Sequence, residues 1–275
     1  MMATPLSNTP QRSRAVRSPL FWTLLAFTVC VAAFLIVPIL LSVLTGLTNN
    51  QFEGLSSGLT FKWVIKVWTD YQHSVWLSMG IALACLACNL VLGVPAAYVL
   101  SRTQGRVARA IEELLMLPVA LPGIATALAL IVTYGAVGEF RTHWTFVLVG
   151  HVLFTLPFMV RSVLAVLLSV DMHTLEEGAR SLGASFTQRF FGVVLPNCRS
   201  GILAGALMVL TLSIGEFNMT LLLHTPFTQT LPVGLADAYA SLRIEVGSAY
   251  TIIFFMMIVP LLIALQLAGA KKPKP

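Results

Sequence analysis

Six long apolar segments dominate this sequence, covering residues 20–46, 76–100, 114–137, 144–169, 200–223 and 247–269. A helix needs roughly 20 mostly apolar residues to cross the hydrocarbon core of a bilayer. Charged residues make up 10% of the chain, whereas a soluble domain carries about 25%. The sequence therefore predicts an all-α, polytopic membrane protein with six transmembrane helices.

Two of these segments carry features that bear on how they cross the membrane. The first follows three arginines, but it is longer than the apolar core of a signal peptide, which has roughly 7–15 residues. We therefore expect an uncleaved first helix. The third contains Pro118, Pro122 and Gly123 near its start. Because the first turn of a helix tolerates proline, residues 114–137 are predicted to form one helix.

The distribution of Lys and Arg predicts the orientation. Twelve of the 17 lie in the N-terminal tail and in the segments on the same side of the membrane, and four lie on the opposite side. Cytoplasmic loops carry the excess of positive charge, so both termini are predicted to be cytoplasmic. We expect a tail at 1–19, a single transmembrane domain at 20–270 and a basic tail at 271–275. Anionic lipid explains the net charge of +6 without nucleic acid.

No sequence pattern indicates catalysis. The chain has no phosphate-binding loop of the G-x-x-x-x-G-K-[ST] type and no H-E-x-x-H. Residues 54–58 fit G-x-S-x-G, but in a predicted external loop instead of a strand–turn–helix. Cys85 and Cys88 have a spacing seen in metal sites, but they lie in an apolar helix and are expected to pack. We predict no catalytic residue, no metal site and no cofactor in this chain.

The loop at residues 171–199 interrupts the apolar pattern and is predicted to be cytoplasmic. Thr174 and Glu177 fit a capping box at the start of a short helix. Gly183 suits the left-handed position after the end of that helix. Ser185 and Gln188 fit a second capping box. The loop is therefore predicted to form two short helices that meet at residues 183–184. This break favours a protein docking site over a passive amphipathic helix on the membrane.

A longer motif runs through the same loop. The pattern E-A-A-x3-G-x9-I-x-L-P is matched by Glu177, Ala179, Gly183, Leu195 and Pro196, with Gly178 in place of alanine and Val193 in place of isoleucine. In this motif, and in segments such as "LPVALPGIATALAL" and "SIGEFNMTLLL", the chain resembles permease subunits of binding-protein-dependent type I ABC importers. The resemblance covers about residues 75–269 and implies the type I permease fold.

The resemblance implies that the loop forms coupling helices that insert into a separate ATPase subunit. Glu177 would pair with a group on the ATPase and Gly183 would form the turn. Carried over residue by residue, the ATPase-coupling set is Glu176, Glu177, Gly178, Ala179, Arg180, Gly183, Ala184, Ser185, Leu195 and Pro196.

The resemblance also implies the partners. These are two ATP-binding subunits, which bind the ATP and Mg²⁺, a second permease subunit that is identical or paralogous, and a periplasmic solute-binding protein. It further implies residence among the lipids of a bacterial inner membrane. The implied solute is small and charged, such as a polyamine, an aminophosphonate or ferric iron. The external loops at about 47–75 and 224–246 are candidates to receive the binding protein.

Polar residues within the apolar segments are candidates for the solute pathway, because charge inside the bilayer is costly. They are Arg161, Glu216, Asn218 and Thr220. Arg161 and Glu216 are predicted to lie too far apart to pair, and the Arg161 side chain is predicted to reach the cytoplasmic interface. For Glu216, a structural bond to a neighbouring helix is as open an interpretation as a place in the solute pathway. An ion-gradient-driven secondary transporter is the alternative function, and a membrane-embedded enzyme is a further rival.

Overall fold

The computed structural model describes residues 19–103 and 105–270, and these are almost entirely helical. Among these residues five helices are long and apolar enough to cross a membrane, and the number is six when a bent pair of shorter helices is counted as one span. The predicted all-α membrane protein is therefore confirmed. In chain order the helices are α1 (Pro19–Thr45), α2 (Lys62–Arg102), α3 (Arg106–Ala120), α4 (Gly123–Tyr134), α5 (Trp144–Ser169), α6 (Met172–Ser181), α7 (Phe186–Arg189), α8 (Leu195–Ile214), α9 (Thr220–Leu223), α10 (Leu231–Ala240) and α11 (Ile244–Ala270).

The described residues divide into two compact units, one ending at Ser42 and one starting at Val43. The first consists of most of α1, an apolar helix of mean hydropathy 2.9. In the second, α2, α5 and α8 pack closely against one another. The core of the second unit consists of three buried apolar clusters, which include Tyr250, Met159 and Phe146 respectively.

The third span is not one helix, so the prediction for residues 114–137 is wrong. It consists of α3 and α4, which meet at an angle of 101°. Leu121, between them, has an extended backbone with φ −88° and ψ 144°. Proline disfavours the helical conformation of the residue before it, and Pro122 follows directly. The break is thus at this second proline, whereas Pro118 lies within α3.

Two other spans differ from the predicted boundaries. Helix α2 starts at Lys62 and not at residue 76, so much of the predicted external loop at 47–75 is helical. A kink at Tyr71, with φ −128° and ψ 15°, separates this outer portion from the rest of α2. The fifth span ends at Ile214 and not at residue 223, because the backbone leaves the helix at Gly215 and re-forms a single turn in α9.

Two glycines of α8 allow it to approach α5 closely. A Cβ atom at Gly201 would lie 2.5 Å from the carbonyl oxygen of Ser162, and one at Gly205 would lie 2.7 Å from Sδ of Met159. Small residues spaced four apart let helix backbones approach within a membrane. The pair therefore fixes how α5 and α8 pack.

We expect Gly201→Ala to lower the free energy of unfolding by about 1–3 kcal/mol, because the added methyl group meets backbone atoms of α5 that cannot move aside. Gly192→Ala is the matched control, since no heavy atom lies within 4 Å of a Cβ there. Thermal unfolding of both variants in detergent measures the difference. Equal midpoints for the two would contradict the close packing.

Candidate functional site: the helix–turn–helix at residues 171–199

The first helix of the 171–199 loop begins at Asp171, so the predicted capping box of Thr174 and Glu177 is wrong. The Asp171 side chain accepts a hydrogen bond from the Thr174 backbone N–H at 3.3 Å, and the Thr174 hydroxyl donates to the same carboxylate at 2.7 Å. These bonds hold the pKa of Asp171 below its ordinary value, the hydroxyl bond contributing most. Glu177 consequently lies beyond the first turn of α6.

The turn after α6 agrees with the prediction for Gly183, whose φ is +83°. The Gly183 N–H donates to the carbonyl of Arg180 at 2.9 Å, and the Ala184 N–H donates to that of Ala179 at 3.1 Å. This pair of bonds is the Schellman motif, in which the residue after the helix takes the left-handed conformation. The turn is therefore held by its own backbone hydrogen bonds.

The second capping box is present as predicted. The Ser185 N–H donates to Oε1 of Gln188 at 2.8 Å, and the Gln188 N–H donates to Oγ of Ser185 at 3.4 Å. The helix that it starts is not a separate short element, however. Helix α7 continues through a π-helical segment at Phe190–Val194 into α8. Pro196 therefore lies inside a continuous 29-residue helix from Phe186 to Ile214.

Most of the predicted coupling residues lie together on the exposed part of this loop. Glu177, Gly178, Arg180, Gly183, Ser185 and Pro196 are exposed, whereas Ala179, Ala184 and Leu195 are half-buried. Glu176 differs, because it is 5% exposed and contacts Tyr98 and Arg102 of α2. Sequence reasoning missed these two residues, since nothing local relates them to the loop.

An exposed apolar pair flanks the turn. Leu182, the last residue before Gly183, is 90% exposed, and Phe186, three residues after Gly183, is 57% exposed. Large apolar side chains exposed on both sides of a polar turn suit a contact with another protein. The helix–turn–helix thus combines a rigid backbone with an apolar tip.

We expect Gly178→Ala to raise the free energy of unfolding by about 0.5–1 kcal/mol, because glycine within a helix costs more conformational entropy than alanine. Gly178 lies in α6, and no heavy atom stands within 4 Å of a Cβ at this position. Thermal unfolding of the variant in detergent checks the gain. A lower midpoint than that of the parent would show that the glycine is required for another reason.

The pathway candidates fall into two separate places. Arg161 lies 3.5 Å from Glu112 of α3, and both side chains are partly exposed. Glu216 is buried just after α8, where its carboxylate accepts hydrogen bonds from the N–H groups of Met219 and Thr220 and from the Thr220 hydroxyl, at 2.6–2.8 Å. Arg161 and Glu216 therefore have different partners, and Glu216 holds the backbone of the following turn.

A buried histidine extends the polar group around Glu216. The ring of His151 in α5 lies 2.8 Å from the Ser213 hydroxyl and 2.9 Å from that of Thr220. His151 is 2% exposed, and Thr220 is fully buried, whereas Asn218 is exposed. The group thus joins α5, α8 and α9. The signal in the sequence was a single histidine in an apolar segment, which sequence reasoning did not use.

The sequence matches the family described as "Binding-protein-dependent transport system inner membrane component" over residues 89–271. The chain belongs to this family. The match contains α5 to α8, and the helix–turn–helix of this permease lies within it. Its membrane location follows from the same membership and from its apolar helices.

Individual relatives support the assignment. The permease is 30% identical to "Sulfate permease 2, chloroplastic" of Chlamydomonas reinhardtii over 67% of this chain and 53% of that protein, so it spans about half the length of this relative. It is 31% identical to a probable molybdenum ABC transporter permease protein of Haloferax volcanii, over 86% and 87% of the two chains. It is 27% identical to the spermidine/putrescine transport system permease protein PotC of Escherichia coli, over 90% and 94%.

The fold is also that of a solved structure. The permease superposes on a chain of a bacterial ABC transporter involved in the import of the acidic polysaccharide alginate with a TM-score of 0.71, over 93% of this chain and 96% of that one. The two sequences are 14% identical. Shared architecture at this identity shows the fold alone.

Proposed function

We propose that this permease is the transmembrane subunit of an ATP-driven importer for a small charged solute. The observation that carries the proposal is the exposed helix–turn–helix, whose Schellman turn and apolar Leu182 tip suit insertion into a separate ATPase subunit. Family membership and relatives named for ABC transport support it. Two ATPase subunits, a second permease subunit and an external solute-binding protein complete the proposed importer, in a bacterial inner membrane.

The proposed solutes come from the names of the relatives. These name sulfate, molybdenum and spermidine or putrescine, so we propose either a small oxyanion or a polyamine. The solute-binding protein selects between them, and the permease provides the path. ATP and Mg²⁺ act at the ATPase subunits, since this sequence has no phosphate-binding loop.

The test is purification from native membranes in mild detergent, followed by reconstitution. We expect an ATPase subunit and a solute-binding protein to accompany the permease. In liposomes the complex should accumulate radiolabelled sulfate, molybdate or spermidine only when ATP is supplied. Uptake by the permease alone, driven by an ion gradient without ATP, would instead establish the secondary transporter.

A further inference from the structure

Glu176 lies on the buried face of α6, directly beside the exposed Glu177. The buried residues of α6 are Met172 and Glu176, which are four apart and therefore share one face of the helix. Met172 belongs to the apolar cluster that includes Ala97 of α2. A buried carboxylate is costly unless it is paired, so Glu176 requires the partners that it finds on α2.

Those partners lie at the C-terminal end of α2. The Tyr98 hydroxyl donates to Oε1 of Glu176 at 2.9 Å, and the Arg102 guanidinium forms an ion pair with the same carboxylate. Arg102 also lies over the ring of Tyr98, with 5.4 Å between its Cζ and the ring centroid. Both oxygens of Glu176 are thus engaged by α2.

Tyr98 contacts the second helix of the loop as well. Its ring centroid lies 6.2 Å from that of Phe186 in α7 and 5.5 Å from that of Phe190 in the π segment. One residue of α2 therefore joins both halves of the helix–turn–helix, through its hydroxyl to α6 and through its ring to the start of α7. The backbone of α6 packs mainly against α7 and the π segment, so these side chains make the link to α2.

We propose that Tyr98, Arg102 and Glu176 form a latch that makes α2 move with the helix–turn–helix when the ATPase subunits close. These three are positioning residues, and the inference rests on the proposed function. The chain connects the loop directly to α5 and α8, whereas α6 is linked to α2 by side chains, among which Glu176 makes the polar contacts. From Arg102, α2 extends back to its kink at Tyr71, so the latch carries the motion of the loop along this part of the helix and across the membrane.

The test measures whether α6 and α2 move as one body. Spin labels are attached to cysteines introduced by Thr103→Cys and Ser181→Cys, both exposed positions, in a background carrying Cys30→Ser and Cys88→Ser. The permease is studied in its complex with the ATPase subunits, without nucleotide and with ATP plus vanadate. We expect the same distance between the labels in both states, and a distance that changes in Glu176→Gln and in Tyr98→Phe.

Coupling provides the second readout. Normalised to assembled complex, the uptake of sulfate, molybdate or spermidine per ATP hydrolysed should fall roughly tenfold in Glu176→Gln, which is the order of magnitude by which coupled sites affect each other. Arg102→Glu combined with Glu176→Arg should recover part of it. Lys66→Gln, which breaks an exposed ion pair with Asp70, should not change the ratio. A purely structural role would lower the amount of complex and leave this ratio unchanged.

The outcomes separate the two proposals. A wild-type label distance that changes between the two states overturns the latch, as does an unchanged ratio of uptake to hydrolysis in Glu176→Gln. If Glu176→Gln does not assemble, Tyr98→Phe decides, since it keeps the ring contacts and removes only the hydroxyl. Failure of any ATPase subunit to accompany the permease would refute the proposed function, and the latch with it.

Discussion

Gly183→Val is expected to abolish ATP-coupled uptake while the permease still reaches the membrane. The φ of Gly183 is +83°, and a β-branched residue is a severe outlier there. No heavy atom lies within 4 Å of a Cβ at this position. The cost therefore comes from the backbone, which would leave the Schellman turn and change the angle between α6 and α7.

The matched control is Gly183→Asn, because asparagine adopts the left-handed conformation more readily than other non-glycine residues. We expect Gly183→Asn to retain more uptake than Gly183→Val, although both add a side chain. Three quantities are measured: uptake in liposomes, the amount of ATPase subunit that co-purifies with the permease, and the amount of permease in the membrane. Normal uptake by Gly183→Val would show that the turn does not couple ATP hydrolysis to transport.

Glu216→Ala is expected to lower the free energy of unfolding by about 3 kcal/mol or more, because it removes a carboxylate that accepts three hydrogen bonds. Two of these bonds come from backbone N–H groups that would be left without a partner. Glu216→Gln keeps one acceptor oxygen at nearly the same volume, and should recover part of the loss. Thermal unfolding in detergent gives both values.

The same two variants separate a structural role of Glu216 from contact with the solute. For a structural role, uptake per assembled complex should follow stability, so Glu216→Gln should transport better than Glu216→Ala. If Glu216→Gln unfolds at the temperature of the parent and yet loses uptake, the charge itself is needed and Glu216 contacts the solute. Thr211→Val, at an exposed hydroxyl on α8, is the control for substitution in this helix.

The local features of the site could be predicted from the sequence, because they depend on residues close together in the chain. Gly183 and the pair Ser185 and Gln188 are of this kind, and the structure has them as predicted. The start of α6 was misplaced because Asp171 and Thr174 are both good capping residues, three positions apart. Only the backbone geometry shows that Asp171 precedes the helix.

The remaining differences arise from competition between local rules or from contacts distant in the sequence. Proline is tolerated in a first helical turn and disfavours helix in the residue before it, and at Pro122 the second effect decided the break. Glu176 and Tyr98 are 78 positions apart, and no periodicity relates them. The polar group of His151, Ser213 and Thr220 likewise depends on how α5 and α8 pack.

The uninterrupted helix from Phe186 to Ile214 has a mechanical consequence. Its 29 residues make a rod about 43 Å long at 1.5 Å per residue, with Gly183 just before one end and Glu216 just after the other. If the rod tilts by about 10° around the end next to Gly183, the far end moves by roughly 7 Å, given that length. Such a displacement exceeds the separations of 2.8 Å and 2.9 Å between the ring of His151 in α5 and the hydroxyls of Ser213 and Thr220. A small rotation at the end of the rod next to Gly183 is therefore large enough to rearrange the buried polar group at its other end.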